Sequence, residues 1–424
     1  MTAVIGILNK HGVTMAADSA VTVTGGNQKK IYNTANKLFT LSKHHPVGIM
    51  IYDSSTFMST PWEIIIKLYR KELKDKSFDT IEEYKDDFIK YLKGKDYYTT
   101  TDFQLLNLKQ FLYWQLDVLK NRTIGNLSDG KTEIELSIEF QELILEDLKI
   151  NIQSYEGATN ILNDFSDYTL ENFKEYAEVG IKEVTDTVFE GIEINDEIFN
   201  SIIELYFNHL RTTNFIGITT GIVFGGFGEK EIYPSMVSIQ VAEVFNNRLR
   251  YCDFDKCEIS DYNNGAIMPY AQIDVINMFI KGIDPEIDHT YISVFEKLLK
   301  EYTSTIVGLL NGENDDLAQK VNDFDLSILV DEFKNQLNHL KREKQISPTL
   351  DTVAILSKED LAEMAESLIY LTYLKRRISS TEESVGGPID VAIISKGDGF
   401  IWKKRKHYFE ESLNKQFMAN YFNK

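Results

Sequence analysis

Apolar and polar positions alternate between two rhythms along this chain. Residues 3–8 form an apolar run, residues 9–12 (Asn-Lys-His-Gly) a polar turn, and residues 13–17 a second apolar run, which predicts a β-hairpin buried on both faces. Residues 23–27 are turn-rich, and two further strands are expected at 37–42 and 47–51. A helix follows over 61–70, with Pro61 in its first turn. From 74 to 195 the period becomes helical, most clearly over 102–114 and 138–148. An apolar helix at 198–212 precedes three strand-like runs, 221–228, 232–241 and 243–250; residues 263–271 look like the entry to another helix. A second helical stretch spans 284–350. Ser357 and Asp360 then have the spacing of a reciprocal cap on an amphipathic helix over 361–378, and the strands 389–395 and 400–404 flank a turn at 396–399. The pattern predicts an α+β chain whose strand-rich parts are 1–73, 196–283 and 351–424, interrupted by helical insertions at 74–195 and 284–350.

The 424 residues carry 65 acids against 45 bases, a net charge of −20, which argues against a nucleic-acid partner. Two cysteines, Cys252 and Cys257, have no neighbouring His or Cys and make no zinc motif, so no metal and no cofactor is expected. No leader and no apolar run of bilayer length is evident, which predicts a cytoplasmic chain with no membrane partner. The histidines fall in no H-E-x-x-H arrangement, and G-x-S-x-G and Walker-type motifs are absent.

The chemistry sits at the beginning. Initiator methionine is normally removed before a small residue, which would leave Thr2 with a hydroxyl and a free α-amine. A threonine hydroxyl is a weak nucleophile near neutral pH, but an α-amine titrating near ~8 can take its proton as it attacks. Nucleophile and base are then one residue.

Thr2, the Ala16-Ala17-Asp18-Ser19 segment, Thr22 and the Lys37 strand resemble the start of proteasome β-type subunits and their bacterial HslV and Anbu relatives, within the N-terminal-nucleophile hydrolases. The Val385-Gly386 pair before Pro388-Ile389-Asp390 resembles the Anbu pattern. The resemblance covers about half the chain. It implies a four-layer αββα sandwich carrying the two insertions, and a threonine-type peptidase that cleaves extended peptides through an acyl-enzyme on Thr2. Lys37, held by Asp18, would support Thr2, with Lys30 the second candidate; Glu382 and Ser384 would lie near the family's supporting aspartate and hydroxyl. The backbone of Tyr52 would donate to the oxyanion where the family has glycine. A substrate strand would run between Thr22 and Tyr52, with Val21, Met50 and Ser54 lining a side-chain pocket. The family's supporting serine falls near Ala266 and is missing here. A silent assembly or binding protein and a small-molecule amidase are the alternatives. The resemblance also implies a possible homo-oligomer and leaves an ATPase partner undetermined.

Overall fold

The computed structural model describes residues 2–25, 28–94, 99–215, 217–378, 385–407 and 409–422. Its strands are β1 (Ala3–Asn9), β2 (Gly12–Ala17), β3 (Val21–Gly25), β4 (Gln28–Tyr32), β5 (Leu38–Thr40), β6 (Val47–Asp53), β7 (Thr56–Phe57), β8 (Thr60–Pro61), β9 (Thr220–Gly226), β10 (Ser235–Phe245), β11 (Arg248–Glu258), β12 (Gly265–Ala271), β13 (Asp390–Ser395) and β14 (Gly399–Lys404). The helices are α1 (Trp62–Leu73), α2 (Ile81–Lys93), α3 (Thr101–Gly125), α4 (Glu133–Gln153), α5 (Leu170–Val188), α6 (Asp196–Arg211), α7 (Asp274–Lys281), α8 (Pro285–Leu310), α9 (Asp315–Asn322), α10 (Ser327–Lys341), α11 (Ser347–Ile355), α12 (Lys358–Ile378) and α13 (Lys415–Phe422).

Two five-stranded sheets dominate, in the orders β12-β1-β2-β13-β14 and β11-β10-β9-β6-β5, and the neighbouring strands pair antiparallel. The chain is therefore α+β. Strand alternation sorts the side chains. Val4 and Leu8 of β1 join Met50 and Tyr52 of β6 in one apolar cluster shared by both sheets. Ile5 and Ile7 point the other way, into a cluster with Val353 of α11 and Leu361, Ala365 and Ile369 of α12. On the second sheet, Ile49 and Ile51 pack with Trp62 of α1 and Phe88 of α2. A helical cluster collects Leu112 of α3, Ile144 of α4, Ile181 of α5 and Ile202 of α6.

The hairpin at the start, the strands at the end and the α12 cap match the pattern of the sequence. Ser357 Oγ donates to Asp360 Oδ2 at 2.6 Å, and Asp360 N donates back to Ser357 Oγ at 3.2 Å. Other expectations need correction. Residues 265–271 are not a helix entry but β12, because they complete the sheet edge beside β1. The β10–β11 turn falls at Asn246-Asn247, with φ of 48° and 58°, instead of between 241 and 243. This is a left-handed pair that asparagine tolerates. Residues 23–25, expected in a turn, are the end of β3, which pairs with β4; residues 26 and 27 lie outside the described residues. Helix α2, expected within the first insertion, packs on the sheet beside α1, whereas α6, expected in the strand-rich part, packs with α3, α4 and α5.

Candidate functional site

Asp18 follows β2 and is 1% exposed; Lys37 precedes β5 and is 3% exposed. Neighbouring backbone draws them together. Ala3 N donates to Asp18 Oδ1 at 3.0 Å, and Asp18 N returns a bond to Ala3 O at 3.1 Å, continuing the β1–β2 ladder past its last pair. The same Oδ1 accepts from Lys37 Nζ at 2.6 Å. Oδ2 accepts from Ala20 N and Gly386 N, each at 3.1 Å. Lys37 Nζ also donates to Ala20 O at 2.5 Å. One carboxylate thus joins the amide directly after Thr2 to an ammonium on the other sheet. Burial pushes the Lys37 ammonium below its ordinary range, and Asp18 opposes that shift.

Thr2 itself is 2% exposed, and its carbonyl accepts from Gln272 N at 3.3 Å. Gln272 Oε1 accepts from Arg376 Nε at 2.6 Å, and Arg376 Nη2 donates to Asp274 Oδ1 at 2.5 Å. Neither Gln272 nor Arg376 stood out in the sequence: the β12 register brings Gln272 to Thr2 across some 270 residues, and Arg376 reaches Gln272 from α12. That register also displaces Ala266. It pairs with Leu8, while Ala271 pairs with Ala3, so Ala266 lies at the far end of β1 from Thr2. Ser19 is fully buried, with Oγ donating to Pro388 O at 2.5 Å. Glu382 and Ser384 lie outside the described residues. Lys30 is in β4 opposite Val23, and its side chain, like that of Thr22, is outside what is described.

The residues expected to bind substrate divide. Met50 is fully buried and Tyr52 is 4% exposed in the cluster between the sheets, so neither side chain lines an open pocket. The Tyr52 ring stacks on Tyr270 at 5.5 Å and lies over Gly221, where any Cβ would come within 1.8 Å of the ring. Strand parity decides where the amide goes. Ile51 N donates to Lys37 O at 2.9 Å, toward β5, so the next amide, that of Tyr52, points to β9 and its partner Gly221. The Tyr52 donor expected from the sequence is thereby aimed into the ladder. Asp53, with φ of 66°, has the parity of Ile51 and lies beyond the last β5 pair, Leu38 with Met50. Its amide is the one facing the open edge. Although Asp53 is exposed at the end of β6, partial desolvation pushes its carboxyl up, with Lys37 among the opposing charges. Ser54 N donates to Thr219 O at 3.1 Å, Ser54 Oγ donates to Thr56 O at 2.9 Å, and Val21 is half-buried.

Among the described residues no group of His, Cys, Asp and Glu could hold a metal ion, and no helix is long and apolar enough to cross a membrane. Cys252 and Cys257 are free thiols.

No family model and no curated protein matches the chain. Among the solved structures similar to it over nearly its whole length are two of one protein. One is an Anbu (Gly-1) mutant from Hyphomicrobium sp. strain MC1, 10% identical, covering 100% of this chain and 97% of that one at a TM-score of 0.28. The other is Anbu from the same strain, also 10% identical, covering 99% and 97% at a TM-score of 0.30. TM-scores of that size establish neither a shared architecture nor a shared chemistry.

Proposed function

We propose that the chain is an N-terminal threonine hydrolase that cleaves extended peptides, built on a proteasome-type four-layer αββα sandwich. The observation that carries this reading is the Asp18 carboxylate, shared between Ala3 N and Lys37 Nζ. It puts a buried cation one hydrogen-bonded link from the residue that becomes N-terminal when Met1 is removed.

In this mechanism Met1 is cleaved and the α-amine of Thr2 is freed. Thr2 Oγ attacks the substrate carbonyl carbon while the amine takes the hydroxyl proton, directly or through water. Lys37, held charged by Asp18, favours the developing negative charge and disfavours protonation of the amine. The Asp53 amide, on the open strand edge, donates to the oxyanion. The protonated amine passes its proton to the departing peptide nitrogen, leaving an ester on Oγ, and water then attacks that ester with the amine again as base. The substrate adds as a strand between the β3 and β6 ends.

The test is cleavage of a mixed peptide pool by the purified mature chain. Activity that survives in Thr2→Ser and is lost in Thr2→Ala supports the reading. Unchanged cleavage by Thr2→Ala overturns it.

A further inference from the structure

A cavity of about 400 Å³ lies where the first helical cluster meets the second sheet. One wall is a single face of α3, with Asn107, Gln110, Phe111 and Trp114 at helical spacing. Opposite are Val241, Ala242 and Glu243 of β10, and Phe57 and Met58 close the end. Its lining is mostly apolar with a few polar groups, and its size and position between two packed units are those of a ligand pocket.

Three observations say what it takes. First, the cavity includes Thr56 and Thr220, both hydrogen-bonded to Ser54, so it begins just beyond Asp53 on the chain leaving β6. From Ile51 to Thr56 the chain can extend at most about 17 Å, a reach that a few residues of bound peptide match. Second, the turn between β7 and β8 holds Met58 and Ser59 at φ of 47° and 66°, a conformation costly for side chains other than glycine or asparagine. That strained turn presents Phe57 and Met58 to the cavity. Third, Glu243 is opposed by the Arg250 guanidinium at 3.4 Å, and Arg250 also donates to the carbonyls of Leu210, His209 and Asn214. The charge is already balanced, so a cationic side chain gains little there. Gln110, exposed on α3 and without a side-chain hydrogen bond among the described residues, can meet one polar atom.

We propose that this cavity is a subsite for a large neutral side chain of the peptide substrate, aromatic or long and apolar, a few residues from the scissile bond. The inference rests on the peptidase reading above, and it gives the first insertion a role: one face of α3 sets specificity.

The test separates the two. The Thr2→Ala chain holds peptides without turnover, and its affinity for a set of labelled peptides differing at one position is read by fluorescence anisotropy. At one position Phe or Trp should bind about tenfold more tightly than Ala or Lys. Trp114 is 56% and Ile218 71% exposed on the rim, so Trp114→Ala and Ile218→Arg should fold, as thermal unfolding will show, and each should cut that ratio below about threefold. A ratio near one in the parent, or a ratio unchanged in both variants, overturns the subsite. Selective binding without any cleavage by the mature wild-type chain would overturn the hydrolase reading and leave the pocket standing. Cleavage without selectivity would do the reverse.

Discussion

Asp18 accepts four hydrogen bonds from four places along the chain, and Lys37 balances its charge inside the protein. A buried pair of this kind is costly to break on one side only. Lys37→Met alone should lower unfolding free energy by about 3–5 kcal/mol, read from urea denaturation. Asp18→Asn/Lys37→Met together should lose less than the two singles summed. Additive losses would show that the two groups do not depend on each other. Asp18 and Lys37 were singled out through the resemblance of the opening segment to proteasome-type subunits; the apolar run of β2 fixes only where Asp18 falls, directly after its last strand residue. The amide proposed as oxyanion donor was not legible. Choosing between Tyr52 and Asp53 requires the β5–β6 register, and a shift of one residue reverses every amide. Ala266 was misplaced for the same reason, by the register of β12 on β1.

At the scale of elements, α6 carries the clearest pH response. His209 is 3% exposed, with its ring stacked on Phe111 at 5.5 Å; burial, with the Arg250 charge adding to it, lowers its pKa to about 3 from the ordinary 6.5. The folded state therefore keeps His209 neutral over a range in which the unfolded chain protonates it. Stability should fall as pH drops from 6.5 toward 3, at up to about 1.4 kcal/mol per pH unit from this group. His209→Gln should flatten that part of the profile in denaturation series, and an unchanged slope would contradict the assignment. Asn9 is a second joint. Its side-chain amide donates to Val353 O and Leu356 O, each at 2.9 Å, tying β1 to the end of α11. Asn9→Ala removes both of these bonds, leaving Val353 O only its bond from Leu356 N, and should cost about 1–3 kcal/mol in the same assay. The sequence revealed most of these elements through their periods, but not which unit each helix joins. Both α2 and α6 are amphipathic, and an amphipathic stripe does not name its partner.

For the whole molecule, the second insertion contrasts with everything around it. Helix α8 runs for 26 residues with none buried, and Ile287, Tyr291, Val294, Leu298 and Tyr302 lie exposed along one side. Hydrogen exchange in α8 should be orders of magnitude faster than in β1 and β2, whose residues are all buried or nearly so. Equal protection of α8 would mean that it is covered in solution. The strand-rich parts of the chain, meanwhile, converge on one point, with β1, β2, β5, β12 and the segment before β13 all meeting around Thr2 and Asp18. That convergence gives the central claim a direct test, which is intact-mass spectrometry of the purified chain mixed with an activated peptide ester. The account predicts a chain lacking Met1 that gains one acyl group, mapped by fragmentation to Thr2 and absent from Thr2→Ala. A chain that keeps Met1, or an acyl group found on any other residue, would contradict it.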